Sequence, residues 1–231
     1  ILPLCCQDRF FIAVSNYYNS LNTVLLSLME ELETFFDDIS KIKNEEEIID
    51  FCRKYLIHGI PYIFTDNQDD YYEFRKRIAN QFDIKFYEIY ITGSAKLGFS
   101  PLKQKKFDDD SDIDVAIISS QLYEKMLEPI YDYQMELRQV RKSINVRELE
   151  QYHSFLEYTA IGWIRPDKLP KSFGVGILKQ SWFDFFKSIS YGRSEVGNYK
   201  VSAGVFKSYS YFERYTISSL KQIINAQIKI K

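Results

Sequence analysis

ITGSAKLGFSPLKQKKFDDDSDIDVAII, residues 91–118, carries the pattern on which the fold turns. An apolar run ends in Gly93-Ser94, and beyond residues 95–111 an Asp-x-Asp pair opens a second apolar run. FYEIYIT (86–92) and DIDVAII (112–118) are predicted strands by their β-branched and aromatic content. Residues two apart on a strand share a face, so Asp112 and Asp114 leave the same side while Ile113 and Val115 point into the core. Two like charges side by side on one face repel, which costs energy unless a cation sits between them.

Three readings of the acidic stretch compete. A solvated acidic turn accounts for Asp108, Asp109 and Asp110 but not for the pair on the strand. A calcium loop starting at Asp108 or Asp110 puts Ile113 or Val115 where the motif needs Gly. It also puts Ser119 or Gln121 where the motif needs Glu, so that reading is excluded. The third is a magnesium site for phosphoryl chemistry. Mg²⁺ takes one or two carboxylates together with waters and phosphate oxygens, and paired acids can hold two ions roughly 3.5–4 Å apart. Gly93 then has a purpose, since its backbone can approach a phosphate closely and aim N–H groups at it, and Ser94 adds a hydroxyl donor.

An apolar strand, Gly-Ser, a gap and a strand-borne Asp-x-Asp, here IYITGS (89–94) and SDIDVAII (111–118), resembles the nucleotidyltransferase superfamily with the polymerase-beta fold. The extended GSAKLGF, with Gly98 after Gly93, is similar to the Gly-Ser-x-x-x-Gly form of the cyclic-oligonucleotide and oligoadenylate synthases, and small antitoxin-type nucleotidyltransferases share the core signature. The resemblance covers 86–118 and extends loosely to 206. It implies that Gly93 and Ser94 hold the β- and γ-phosphates of a nucleoside triphosphate and that Asp112 and Asp114 ligate Mg²⁺ (or Mn²⁺). Asp112 and Asp114 are thereby the catalytic residues of a Mg-dependent transfer of a nucleoside monophosphate to an acceptor hydroxyl, with pyrophosphate release. The acceptor class stays open among a nucleotide, an RNA end, a protein and a small molecule, and a role in bacterial defence or toxin–antitoxin signalling follows by analogy. Lys96, close to the Gly-Ser turn, is a candidate phosphate contact.

The chain departs from that family in two ways. The gap between Ser94 and Asp112 is long, and LKQKKFDDD (102–110) reads as an inserted loop. A third acid is expected on a later strand, but YKVSAGVF (199–206) carries Ser202 and Gly204 on one face and Val201, Ala203 and Val205 on the other. Glu195 and Asp184 are the nearest substitutes. Because transfer needs an aligned and activated acceptor oxygen, the alternative is a catalytically degenerate module of the same fold that binds nucleotide or a partner protein.

Around this stretch the chain reads as α+β: a polymerase-beta-like core of a small mixed sheet flanked by helices, residues 84–231, preceded by a helical region, 1–83, packed on it. Helices are predicted at 19–40, 44–57 and 68–82, the last with Tyr71, Phe74, Ile78 and Phe82 on one face. The helical pattern returns over 121–160, with Pro129 as a point of interruption, then at 181–190 and 211–228, and 162–176 reads as a loop. The N-terminal helices are a candidate surface for a protein partner.

The 231 residues are 45% hydrophobic and 16% aromatic, enough for a core and against disorder. A net charge of -2 does not advertise nucleic-acid binding over the whole surface. Cys5, Cys6 and Cys52 show neither metal spacing nor a disulfide framework, which fits a reducing, cytoplasmic setting. The start, ILPLCCQDRFFIAV, lacks the basic leader of a signal peptide, and no run reaches the roughly 18 apolar residues of a membrane span. Lys103, Lys105 and Lys106 read as a solvated loop balanced by the neighbouring aspartates, and His58 and His153 as structural residues.

Overall fold

The computed structural model describes residues 29–170 and 176–228. The strand bearing the Asp-x-Asp pair lies inside a four-stranded mixed sheet. β4 (Asp112–Ile118) pairs antiparallel with β1 (Ile89–Thr92) and parallel with β6 (Lys200–Phe206), and β5 (Trp163–Ile164) completes the order β1-β4-β6-β5. The alternation of a strand splits the core in two. Ile113, Val115 and Ile117 join Ile89, Ile91, Val201 and Val205 in one buried cluster, whereas Ala116, Ile118 and Phe206 join a second.

Helices fill both clusters. The first receives Phe74 and Ile78 of α3 (Gln68–Phe82), Leu122, Met126 and Ile130 of α5 (Ser120–Arg138), Tyr152 and Phe155 of α6 (Val146–Ala160), and Trp182 and Phe186 of α7 (Gly176–Ser188). The second receives Phe35 and Ile39 of α1 (29–40), and Phe51 of α2 (Glu45–Phe51). Cys52 and Ile57, from the π-helical turn that continues α2, and Phe212 and Leu220 of α8 (Tyr209–Ile228) complete it. The N-terminal helices thus share buried clusters with the sheet. Burial raises the Cys52 thiol to about 12, so it stays protonated at neutral pH. Among the described residues no helix is long and apolar enough to cross a membrane.

Local chemistry sets the helix ends. The side chains of Asn44, Asn67, Ser119 and Asn145 each accept from a backbone N–H of the first turn of α2, α3, α5 and α6. Glu45, Glu46 and Glu47 stand at the positive end of α2. The helix expected at 19–40 is seen from residue 29; its first part, together with Cys5 and Cys6, lies outside the described residues.

Four expectations are corrected. Pro129 lies inside α5, where nearby Met126 and Ile130 are buried, and the helix ends instead at Arg138, with Val140 just beyond it taking a φ of 57°. Burial on both sides of the proline holds the helix despite its missing N–H. Residues 86–88 form a 3₁₀ turn, not the start of the strand. The inserted loop contains a short hairpin, β2 (Phe99–Ser100) with β3 (Lys105–Lys106). The 162–176 loop supplies β5, whose two residues pair with Phe206 and Val205; a strand that short leaves no period to read.

Candidate functional site

One face of β4 changes character along its length. Ala116 and Ile118 are buried in the second cluster, and at the other end Asp112 and Asp114 remain exposed. Parallel pairing sets Lys200 opposite Asp112 and Ser202 opposite Asp114, so the four side chains share that face. Both cross-strand pairs are bonded. Lys200 Nζ donates to Asp112 Oδ2 at 3.0 Å, and Ser202 Oγ donates to Asp114 Oδ1 at 2.9 Å. On the other side Thr92 lies opposite Asp114, and its hydroxyl donates to the Asp114 carbonyl at 3.3 Å.

The chain leaves β1 through Gly93, with φ 67° and ψ -148°, a conformation open essentially to glycine alone. A Cβ there would lie 3.3 Å from Asp114 Oδ2. Ser94 follows as the first residue of α4 (Ser94–Leu97). The structure therefore brings the Gly-Ser turn and the Asp-x-Asp strand against each other.

Gly93, Ser94, Asp112, Asp114, Lys200 and Ser202 all line one cavity of about 700 Å³. Its wall continues into aromatic side chains, where Trp163 stacks on Phe206 with ring centroids 5.1 Å apart and planes 9° apart. The indole passes so close to Gly204 that a Cβ would lie 2.2 Å from Nε1, which explains a glycine in the middle of β6. Arg165 covers the rings of Trp163 and Tyr158 and is held by Asp167 at 2.9 and 3.2 Å.

Although the Asp114 side chain opens onto the cavity, the protein atoms packed around it displace water and raise its carboxyl above the ordinary aspartate range. The Ser202 hydrogen bond pulls it down, the charge of Asp112 adds to the rise, and Arg165 and Lys200 oppose it. The hydrogen bond to Asp112 raises Lys200 in turn. The like-charge repulsion expected of the strand is thus offset from within the chain by the Lys200 ammonium.

Lys96 takes a different part from the phosphate contact expected of it. It is 7% exposed, and its ammonium donates to the carbonyls of His58, Gly59 (3.1 Å) and Ile60 (3.4 Å), tying α4 to the segment after the π-helical turn. The two acids considered as substitutes for a third carboxylate are engaged elsewhere: Glu195 pairs with Arg77, and Asp184 accepts from Gln180 at 2.7 Å. Among the described residues no group of three or more His, Cys, Asp or Glu side chains could hold a metal ion. Asp108 behaves as an acidic turn residue, paired with Lys105 at 2.9 Å and bonded by Ser111.

Lys200 and the Ser202–Asp114 bond escape a reading of the sequence. Ser202 is visibly on one face of 199–206, but its partner depends on which strand lies beside it and in what register. No family model, curated protein or solved structure matches the chain.

Proposed function

We propose that this cavity is the nucleotide site of a polymerase-beta-like nucleotidyltransferase core. The protein moves a nucleoside monophosphate from an NTP to an acceptor hydroxyl and releases pyrophosphate. The observation that carries this reading is the meeting of Gly93, Asp112 and Asp114 in one cavity of about 700 Å³, within the usual volume range of a small-molecule site. The donor set suits magnesium or manganese, since two carboxylates on one face suffice when phosphate oxygens complete the shell. An ion held by Asp112 and Asp114 supplies charge neutralisation to the polyphosphate and to the departing pyrophosphate.

The chain's own residues do the rest. Gly93, lacking a Cβ, leaves the space beside Asp114 open for a phosphate. Ser202 fixes one oxygen of Asp114 and so orients the carboxylate. Trp163 and Phe206 give a nucleoside an apolar wall. A second reading, nucleotide binding without transfer, is favoured by one observation: where a third acid would stand beside the pair, β6 offers Lys200 and Ser202.

Incubation with labelled NTPs and Mg²⁺ or Mn²⁺ over a panel of acceptors separates the two. Pyrophosphate release that Asp112→Ala abolishes is the expected result for the enzyme. NTP binding without release across the panel assigns the binding module, and absence of both sinks the nucleotide site.

A further inference from the structure

The geometry points to Lys200 as the resident cation of the Asp112–Asp114 pair, one that competes with divalent ions for Asp112 and gives way when the ion arrives together with a polyphosphate. The inference rests on the nucleotide reading above and adds an order of entry to it.

Three features of the site carry it. First, the register places the Lys200 stem directly beside Asp112, the pair closes at 3.0 Å, and both residues line the cavity. Second, the contact is easily exchanged: the two side chains are 52% and 45% exposed, and an ion pair so open to water is weak and screened by salt. A lysine stem is flexible enough to swing its ammonium away without moving the strand. Third, Asp114 is engaged differently. Its direct hydrogen-bond partner is the neutral Ser202 hydroxyl, and Lys200 and Arg165 act on it only through their charge, so the contact that must be exchanged is the one on Asp112.

Charge balance then sets the order. Two carboxylates and one divalent ion cancel, and a displaced Lys200 remains as an uncompensated positive charge in the cavity. Free metal therefore enters against that cost. A metal–triphosphate complex removes it, because the released ammonium meets phosphate oxygens a short reach away. Lys200 has two parts in this account: it limits which cation may occupy Asp112, and once displaced it contacts the polyphosphate.

Binding of Mn²⁺ alone, followed by electron paramagnetic resonance or calorimetry, tests the inference without any turnover. Wild type is expected to bind free Mn²⁺ weakly and to gain affinity when a non-hydrolysable NTP is present. Lys200→Gln is expected to bind free Mn²⁺ about tenfold more tightly than wild type and to lose most of the gain from nucleotide. Lys200→Arg, which keeps the charge, should stay close to wild type, and in an Asp112→Asn background the Lys200→Gln change should have no effect on Mn²⁺. Equal free-Mn²⁺ affinity of wild type and a Lys200→Gln protein that melts normally overturns the competition at Asp112. Failure of the nucleotide reading appears separately, as absence of any effect of the NTP on wild type, while the free-metal arm still decides what Lys200 does.

Discussion

Lys96 and Lys200 both line the same cavity, yet the two ammoniums differ in burial and in the chemistry of their partners. Lys96 is buried and gives its donors to three backbone carbonyls, neutral partners that cannot leave. Lys200 is half exposed and rests on a single carboxylate, that of Asp112, at 3.0 Å. Desolvation lowers the Lys96 ammonium, and the bond to Asp112 raises that of Lys200. Proximity to the Gly-Ser turn makes Lys96 a candidate phosphate contact in the sequence, whereas in the fold its donors go to backbone carbonyls.

The contrast is sharpest in stability. Lys96→Met keeps the stem and removes the donors, leaving the His58, Gly59 and Ile60 carbonyls short of a partner; a loss of about 3 kcal/mol is expected, read from urea unfolding. If that variant is as stable as wild type, the ammonium is not structural and the comparison breaks.

Next comes Gly93, the point where backbone and carboxylate meet. Gly93→Ala forces a side chain into a glycine-only conformation and against Asp114 Oδ2, for roughly 1–3 kcal/mol. Nucleotide affinity should fall with it, and a calorimetric titration that finds affinity intact would remove the turn from the site.

Lys200→Gln should cost less than about 1 kcal/mol, as exposed ion pairs do. A loss as large as that of Lys96→Met in the same denaturation series would make Lys200 a structural residue too.

The smallest effect is in pH. A lysine lowered in the fold leaves more protons on the unfolded chain, so the Lys96 contribution grows as pH rises from its lowered value towards the ordinary 10.5. Lys200, raised in the fold, contributes fully below 10.5 and loses that contribution as pH climbs through its higher value. Thermal melts between pH 7 and 11 should therefore show the Lys96→Met deficit widening and the Lys200→Gln deficit holding, then shrinking. Parallel trends would contradict the assigned environments.

Much of this arrangement is visible before folding. The helical period of Tyr71, Phe74, Ile78 and Phe82 places α3 at its observed bounds, and the acid–apolar alternation places β4. Both are strong because a repeating burial face spans the whole element. Pro129 misled for the opposite reason: a local rule about one residue gave way to the packing of Met126 and Ile130 on either side of it. The two residues of β5 are too few to carry a pattern, and they become a strand through pairing with β6.

At the site, the amino-acid order alone fixed that Asp112 and Asp114 share a face and that Gly93 precedes them with freedom to turn, because strand alternation and the absence of a Cβ are properties of a few neighbouring residues. Only the tertiary structure decided that Lys200 and Ser202 stand opposite them and that Lys96 turns away to backbone carbonyls. Those contacts join residues separated by 88 positions for the first pair and by 36 to 38 for the second. Which partner a charge receives across such distances is settled by sheet register and burial, and no local pattern encodes either.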